Sequence, residues 1–411
     1  MNQPPSPGSA APTLSTSSYR WALLGALWLL YFCFGLVFAS MAPLIQPITS
    51  DLRISHTQMG IILAAWTFVY IAAAIPIGIV VDRFSSSWVL CLGGAVMALS
   101  ALARGLAQDE ISMFLAVALF GLGGATVSIG APKLVAQWFS SEGRGAAMGI
   151  YITGPALGSA AALSLTHSVF MPALGEDWRA IMFLHAAFTL LASLVWFAIA
   201  SHPKADDGRT SGSERISFNL QALRQILAAN EMQFMLAMGV GIFFINHGLN
   251  NWLPEILTGK GLTTEQAGVW ASIPTIVGVI GSLVIPRYAP ASWRFKTVII
   301  LLVSTTMANL MFLTDVRWMI VIALAMQGLT RGSLMTLALL LIMEMSSTPR
   351  ERTGLAGSMY FISANVGGVM GPFAFGALSD IYGSFNPALI LMAALTLILS
   401  ILAIITNRPA K

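Results

Sequence analysis

The stretch WALLGALWLLYFCFGLVFA, residues 21–39, runs for nineteen residues without a charge. An α-helix rises about 1.5 Å per residue, so about 20 apolar residues cross the hydrocarbon core of a bilayer. A signal-peptide core is shorter, about 7–15 residues. The run therefore reads as a retained first span. Similar runs recur along the chain. Six lie near 21–45, 58–81, 88–106, 111–137, 145–168 and 179–200, and six more near 232–257, 264–286, 296–314, 317–344, 353–379 and 385–407. Lipid offers no partner for backbone polar groups, and the runs lack the polar/apolar alternation of a barrel. The spans are therefore expected to be helices.

Composition agrees. Of 411 residues 56% are hydrophobic and only 9% charged, and mean hydropathy is +0.79. A soluble chain carries about 25% charged residues. The net charge of +4 comes from bases scattered singly between apolar runs. That pattern argues against nucleic acid as a partner and fits an asymmetric membrane protein. Cys33 and Cys91 sit inside apolar runs with no metal-ligand spacing. No metal site, cofactor motif, nucleophile motif or Gly-rich phosphate loop is found, so a membrane enzyme or receptor is disfavoured.

The polar segments divide the chain. Residues 1–19 are rich in Pro, Ser and Ala and uncharged, as in a disordered tail. Residues 201–231 form the longest polar stretch, read as a linker between a half at 20–200 and a half at 232–407, with a short tail at 408–411. Within the linker, residues 220–227 read as a short amphipathic surface helix. The halves repeat: Gln58 and Gly60 recur as Gln266 and Gly268, and Arg144 and Gly149 as Arg352 and Gly357, both 208 residues later. Gly121-Leu122 recurs as Gly328-Leu329 at an offset of 207. Such spacing suggests a duplicated six-helix unit. Threading the spans leaves fifteen Lys or Arg on the side of the N-terminus. On the other side are five, Arg53, Arg104, Arg179, Lys260 and Arg317. Both termini are accordingly expected in the cytoplasm, with the chain multi-pass in the inner membrane.

Several polar residues fall inside spans, where they usually face a cavity or a partner helix. Span seven carries Asn246 and Asn250 four apart, and His247 and Asn251 likewise, so two polar ridges share one side of the helix. The asparagines fit a substrate contact or an interhelical hydrogen bond. For His247, a neutral hydrogen-bonded ring stands beside proton carriage. Span ten carries Gln327 and Arg331 on one face. A mid-span arginine costs about 2.5–3.5 kcal/mol on insertion scales. No Asp or Glu lies near the middle of any span, so a bound anion is one reading. The other is satisfaction by carbonyls, water and amides such as Asn365. Lys133 reads as a snorkelling side chain and His185 as a packed or hydrogen-bonded one.

Gly78, Asp82 and Arg83, in the stretch GIVVDRF at residues 78–84, match the core of the loop motif G-x-x-x-D-R-x-G-R-[RK] of the major facilitator superfamily; Ser85, Ser86 and Ser87 depart from its second half. Gly149, Gly154, Pro155 and Gly158 resemble that family's G-x-x-x-G-P motif, here a device for close helix packing. The chain resembles this superfamily over residues 20–407. The resemblance implies an all-α membrane protein with twelve transmembrane helices in two pseudo-symmetric six-helix halves. Spans one, four, seven and ten would line a central cavity, and Asp82 would latch the cytoplasmic gate by binding a helix N-terminus of the other half. Residues 246–257, 271–274, 285–287 and 132–139 are similar to the cyanate permease and 2-nitroimidazole transporter branch. Asn365-Val366-Gly367-Gly368 resembles a motif of nitrate/nitrite porters, but the centres of spans two and eight lack the arginines those porters use. The expectation is a monomeric carrier of a small anionic or polar organic solute, working by alternating access. The alternative is a proton-coupled exporter of drugs or lipophilic compounds.

Overall fold

A computed structural model describes residues 19–139, 141–202, 220–345 and 353–406. The N-terminal tail, most of the linker and the last five residues lie outside the described residues. Among the described residues every regular element is a helix. The first half contains α1 (Tyr19–Ala39), α2 (Ile45–Leu52), α3 (His56–Arg83), α4 (Ser86–Leu106), α5 (Glu110–Trp138), α6 (Ser141–Leu165), α7 (Met171–Ala173) and α8 (Trp178–Ala200). The helix α9 (Leu220–Ala228) follows, where the sequence suggested an amphipathic segment. The second half contains α10 (Asn230–Gly259), α11 (Thr264–Tyr288), α12 (Arg294–Met311), α13 (Arg317–Glu344), α14 (Thr353–Tyr382) and α15 (Asn386–Thr406). Among the described residues twelve helical segments are long and apolar enough to cross a membrane.

Helix ends follow local chemistry. Span one breaks after Ala39 into a short 3₁₀ turn and then α2, because Pro43 and Pro47 withhold backbone donors. Capping boxes start α3 at Ser55 and Gln58, α5 at Asp109 and Ser112, and α11 at Thr263 and Gln266, each satisfying N–H groups that the first turn leaves free. Span five does not run straight: a π-turn over Thr166–Phe170 separates α6 from α7.

The packing repeats between halves. α1 lies on α6 as α10 lies on α14; α3 lies on α5 as α11 lies on α13; α4 lies on α8 as α12 lies on α15. Glycines permit the closest of these approaches. A Cβ at Gly158 would stand 1.9 Å from the Phe32 carbonyl oxygen of α1, and one at Gly367 would stand 1.9 Å from the Val240 carbonyl oxygen of α10. Between halves, α3 packs on α14 and α6 on α11. One core cluster belongs to the first half, one to the second, and a third runs through both.

The halves are drawn together at the end of the molecule that holds the N-terminus of α3. There Gly376 lets α14 reach the His56 carbonyl, and Gly60 lets α3 reach the Pro372 carbonyl. Towards Asp82, at the other end of α3, the helix is mostly exposed or half-buried. The mouth on the His56 side is therefore shut.

Candidate functional site

Arg331 sits in the middle of α13 and is only 7% exposed. Its Nη1 donates to Asn250 Oδ1 of α10 at 2.9 Å, and its Nε to the Gln327 carbonyl one turn back at 3.4 Å. Among the described residues no carboxylate pairs with it, and Nη2 makes no hydrogen bond. A buried guanidinium thus keeps one donor edge free. Burying a charge unpaired is costly, so such an edge suits an anionic oxygen.

Asn250 is the amide that meets the arginine. Asn365 does not: its Nδ2 donates to the Phe361 carbonyl of its own helix at 2.8 Å. Asn246, one turn from Asn250 on α10, is half-buried and has no hydrogen-bond partner among the described residues. The Gln327 side chain turns away from Arg331 and donates to Asn309 of α12. Its contribution next to the arginine is a backbone carbonyl.

His247 is held as an aromatic ring. It stacks on Trp66 of α3 at 5.5 Å and 12°, stacks on Phe243 at 5.4 Å, and meets Phe38 of α1 edge-on at 6.2 Å. Its Nδ1 is buried without a partner. The contact with Trp66 joins the two halves near the level where Thr67 meets Gly368.

The first half holds hydroxyls and indoles of its own within the spans. Tyr31 and Tyr151 stack at 5.5 Å, Tyr70 and Ser128 share a hydrogen bond of 3.1 Å, and Trp28 Nε1 donates to Thr153 Oγ1 at 3.0 Å. Arg104, counted in the sequence as a charge of the far side, is fully buried in α4; its Nη1 donates to the Val37 carbonyl at 2.8 Å and to Ser40 Oγ at 3.1 Å. His185 is buried with neither ring nitrogen bonded.

At the opposite end of α3, Asp82 Oδ1 accepts from Lys133 Nζ of α5 at 2.6 Å. The lysine also donates to the Val81 carbonyl at 3.3 Å, so its reach is used within its own half. Gly78 has open space where a side chain would stand, and Arg83 closes the last turn of α3. On α6, Gly154 and Gly158 carry the close approach to α1, and the Pro155 carbonyl meets Gly35; Gly149 has nothing within 4 Å. Among the described residues no group of His, Cys, Asp and Glu is arranged to hold a metal ion.

Residues 27–344 and 291–411 match the family profile described as Major Facilitator Superfamily. The chain belongs to the Major Facilitator Superfamily. It is a multi-pass membrane transporter with twelve candidate spans. It is 25% identical to the probable galactarate/D-glucarate transporter GudP of Escherichia coli (strain K12), with 86% of each chain covered. It is 24% identical to the hexuronate transporter of Bacillus subtilis (strain 168), covering 90% of this chain and 89% of that one. It is 25% identical to the D-galactonate transporter of Escherichia coli O6:H1, covering 88% and 89%. Among solved structures it resembles a bacterial homologue of the human lysosomal transporter Spinster, in an inward-facing, unoccupied conformation, with a TM-score of 0.76 at 17% identity. The match covers 95% of this chain and 96% of that one. The nucleoside transporter NupG follows with a TM-score of 0.74 at 13% identity, over 96% and 100%. These structural likenesses concern the fold.

The relatives correct the branch suggested by residues 246–257. They are named for sugar acids, not for cyanate or nitroimidazole. Two residues that carried the suggestion have structural uses here: Trp252 Nε1 donates to the Pro372 carbonyl at 2.9 Å, and Asn251 Nδ2 to the His247 carbonyl at 2.7 Å.

Proposed function

We propose that this transporter carries a small organic anion of the sugar-acid class by alternating access. In this reading Arg331 receives the carboxylate, and Asn246 and Asn250 receive hydroxyls. The single observation that carries the proposal is the free donor edge of a buried guanidinium with no carboxylate beside it. The names of the relatives agree with an anionic polyol. A charged donor binds a carboxylate more strongly than a neutral one, and neutral amides suit the remaining hydroxyls. Amides on the adjacent helix face supply both N–H and C=O groups.

The asymmetry of Lys and Arg supports placing the Asp82 side in the cytoplasm, with both termini there and the protein in the inner membrane. The shut His56 mouth is then the outer one, and this conformation is inward-facing. The Asp82–Lys133 pair is then the resting state of the latch, which engages the second half only when the inner mouth closes. The transporter works as a monomer, since each chain contains both halves of the site.

Purified protein titrated with D-galactonate, D-glucuronate and the uncharged polyol galactitol tests the reading. A rise in melting temperature with the acids and none with galactitol is expected, because a ligand of the native state raises apparent stability. Equal response to galactitol would remove the anion from the proposal.

A further inference from the structure

The shut mouth holds a titratable cluster that the proposed substrate site does not use. His56 is the first residue of α3. Its Nε2 lies 2.8 Å from Glu255 Oε1 of α10, and its Nδ1 lies 3.3 Å from Asp380 Oδ1 of α14. A neutral imidazole carries one N–H and one lone pair. It can donate to one of these carboxylates, and would then turn its lone pair towards the other. The two contacts are satisfied together only when both ring nitrogens bear hydrogen, or when the carboxyl facing the lone pair does. In either case the assembled cluster holds one proton more than neutral histidine beside two carboxylates.

The surroundings offer no substitute for that proton. Glu255 Oε2 is buried without a hydrogen-bond partner. The rings of Trp252 and Phe385 close on His56 at 5.5 and 5.9 Å and bring no charge. Three other titratable groups around this mouth are engaged elsewhere. Lys260 pairs with Asp315 at 3.1 Å, Glu110 accepts from Gln58 at 2.5 Å, and His167 Nε2 lies 2.6 Å from the Pro43 carbonyl. A recess of about 720 Å³ on this side is lined by His56 and Glu255 together with Lys260, His167 and Asp315. The His56 side chain is 34% exposed, so the medium on this side reaches the cluster while the mouth is shut.

We propose that His56, Glu255 and Asp380 form a proton-binding site assembled from both halves, so that shutting this mouth takes up one proton from the medium on its own side. His56 belongs to the first half and both carboxylates to the second. Opening the mouth separates them and returns the proton to that same medium. The site therefore sets the balance between conformations and moves no net charge across the membrane. The sign follows from linkage: the shut state binds the extra proton, so acid on this side favours it, with a limiting slope of about tenfold per pH unit. The inference does not depend on which solute is carried.

The test is the distance between nitroxides at Gln108 and Glu265, exposed positions near this mouth in the two halves, in protein whose Cys33 and Cys91 are replaced by alanine. Pulsed electron resonance is recorded in nanodiscs without solute from about pH 5 to about pH 8.5, the range in which an imidazole titrates. The short-distance population is expected to grow as pH falls. His56→Gln, which retains hydrogen-bonding groups but does not titrate, is expected to flatten the dependence. Glu255→Gln is expected to move the midpoint to lower pH, because an amide can accept from one ring nitrogen or donate to it. A constant ratio in the wild type, or an undiminished pH dependence in His56→Gln, would overturn the proposal. Should His56→Gln not fold, an unmoved midpoint in Glu255→Gln would overturn it alone.

Discussion

Asp380 caps the first turn of α3 from the other half of the molecule: its Oδ2 accepts from Thr57 N at 2.7 Å and from Thr57 Oγ1 at 2.5 Å. Its Oδ1 accepts from His56 N at 3.1 Å. A carboxylate at a helix N-terminus satisfies orphan donors and meets the positive end of the dipole. Here the cap and the helix belong to different halves, so the interaction exists only while this mouth is shut.

Removing the two helix-end carboxylates of the gates is expected to have opposite effects. Asp380→Asn weakens a charge–dipole cap worth about 0.3–2 kcal/mol, so the ratio of shut to open states at the His56 mouth falls about two- to thirtyfold. Asp82→Asn weakens the latch proposed for the other mouth, so the conformation described here gains population. Spin-label distances across each mouth read both shifts. A change of the same sign in the two variants would refute the paired-gate account.

The α1–α6 contact makes a sharp contrast between two glycines of one motif. Ala at Gly158 places a methyl group 1.9 Å from a backbone oxygen that only a helix displacement can move away, whereas Ala at Gly149 meets nothing within 4 Å. Overpacking of this kind costs about 1–3 kcal/mol. Gly158→Ala is expected to lower the melting temperature and the folded yield, and Gly149→Ala to leave both unchanged. Equal melting temperatures for the two variants would show that α1 and α6 adjust freely.

Topology has a direct measure. A cysteine introduced at Arg224, an exposed position of α9, is expected to react with a membrane-impermeant maleimide only after cells are opened. One at Lys260, in the turn after α10, is expected to react in intact cells. Reversal of the two patterns would invert the assignment of inner and outer mouths.

What the sequence disclosed, and what it withheld, follows from the distance over which each interaction acts. Spans and capping boxes are local. A run of twenty apolar residues, or Ser55 three residues before Gln58, carries its own explanation. The isolation of Arg331 was also legible, because the absence of acids within spans is a property of the string. Its partner was not, since Asn250 lies 81 residues away and only packing of α10 on α13 brings it near. Spacing of four put Gln327 on the arginine's face, yet its side chain follows a buried polar partner on α12. His56 gave no signal at all: it reads as a residue at a helix start, and its partners stand 199 and 324 residues further along. Arg104 was counted with the charges of the far side, and only tertiary packing shows that it is buried near that end of α4.

Arg331 offers the decisive test of the substrate site. The guanidinium spends Nη1 on Asn250 and Nε on the Gln327 carbonyl, and Nη2 remains for a ligand. Arg331→Lys keeps the charge but loses the planar fork, which is matched to a carboxylate. Affinity for a sugar acid is expected to fall while measurable uptake survives. Arg331→Gln removes the charge. Loss of one partner from a buried charge pair costs about 2–5 kcal/mol, so binding should weaken by about thirtyfold or more. If the arginine instead serves the fold, the effect moves to another measurement. Without the hydrogen bond to Asn250, α10 and α13 are less firmly joined, and both variants lower the melting temperature while transport per folded molecule stays normal. Binding and melting temperature measured on the same purified samples separate these outcomes. A folded Arg331→Gln protein with full affinity for D-galactonate or D-glucuronate would refute the assignment of the carboxylate to this residue.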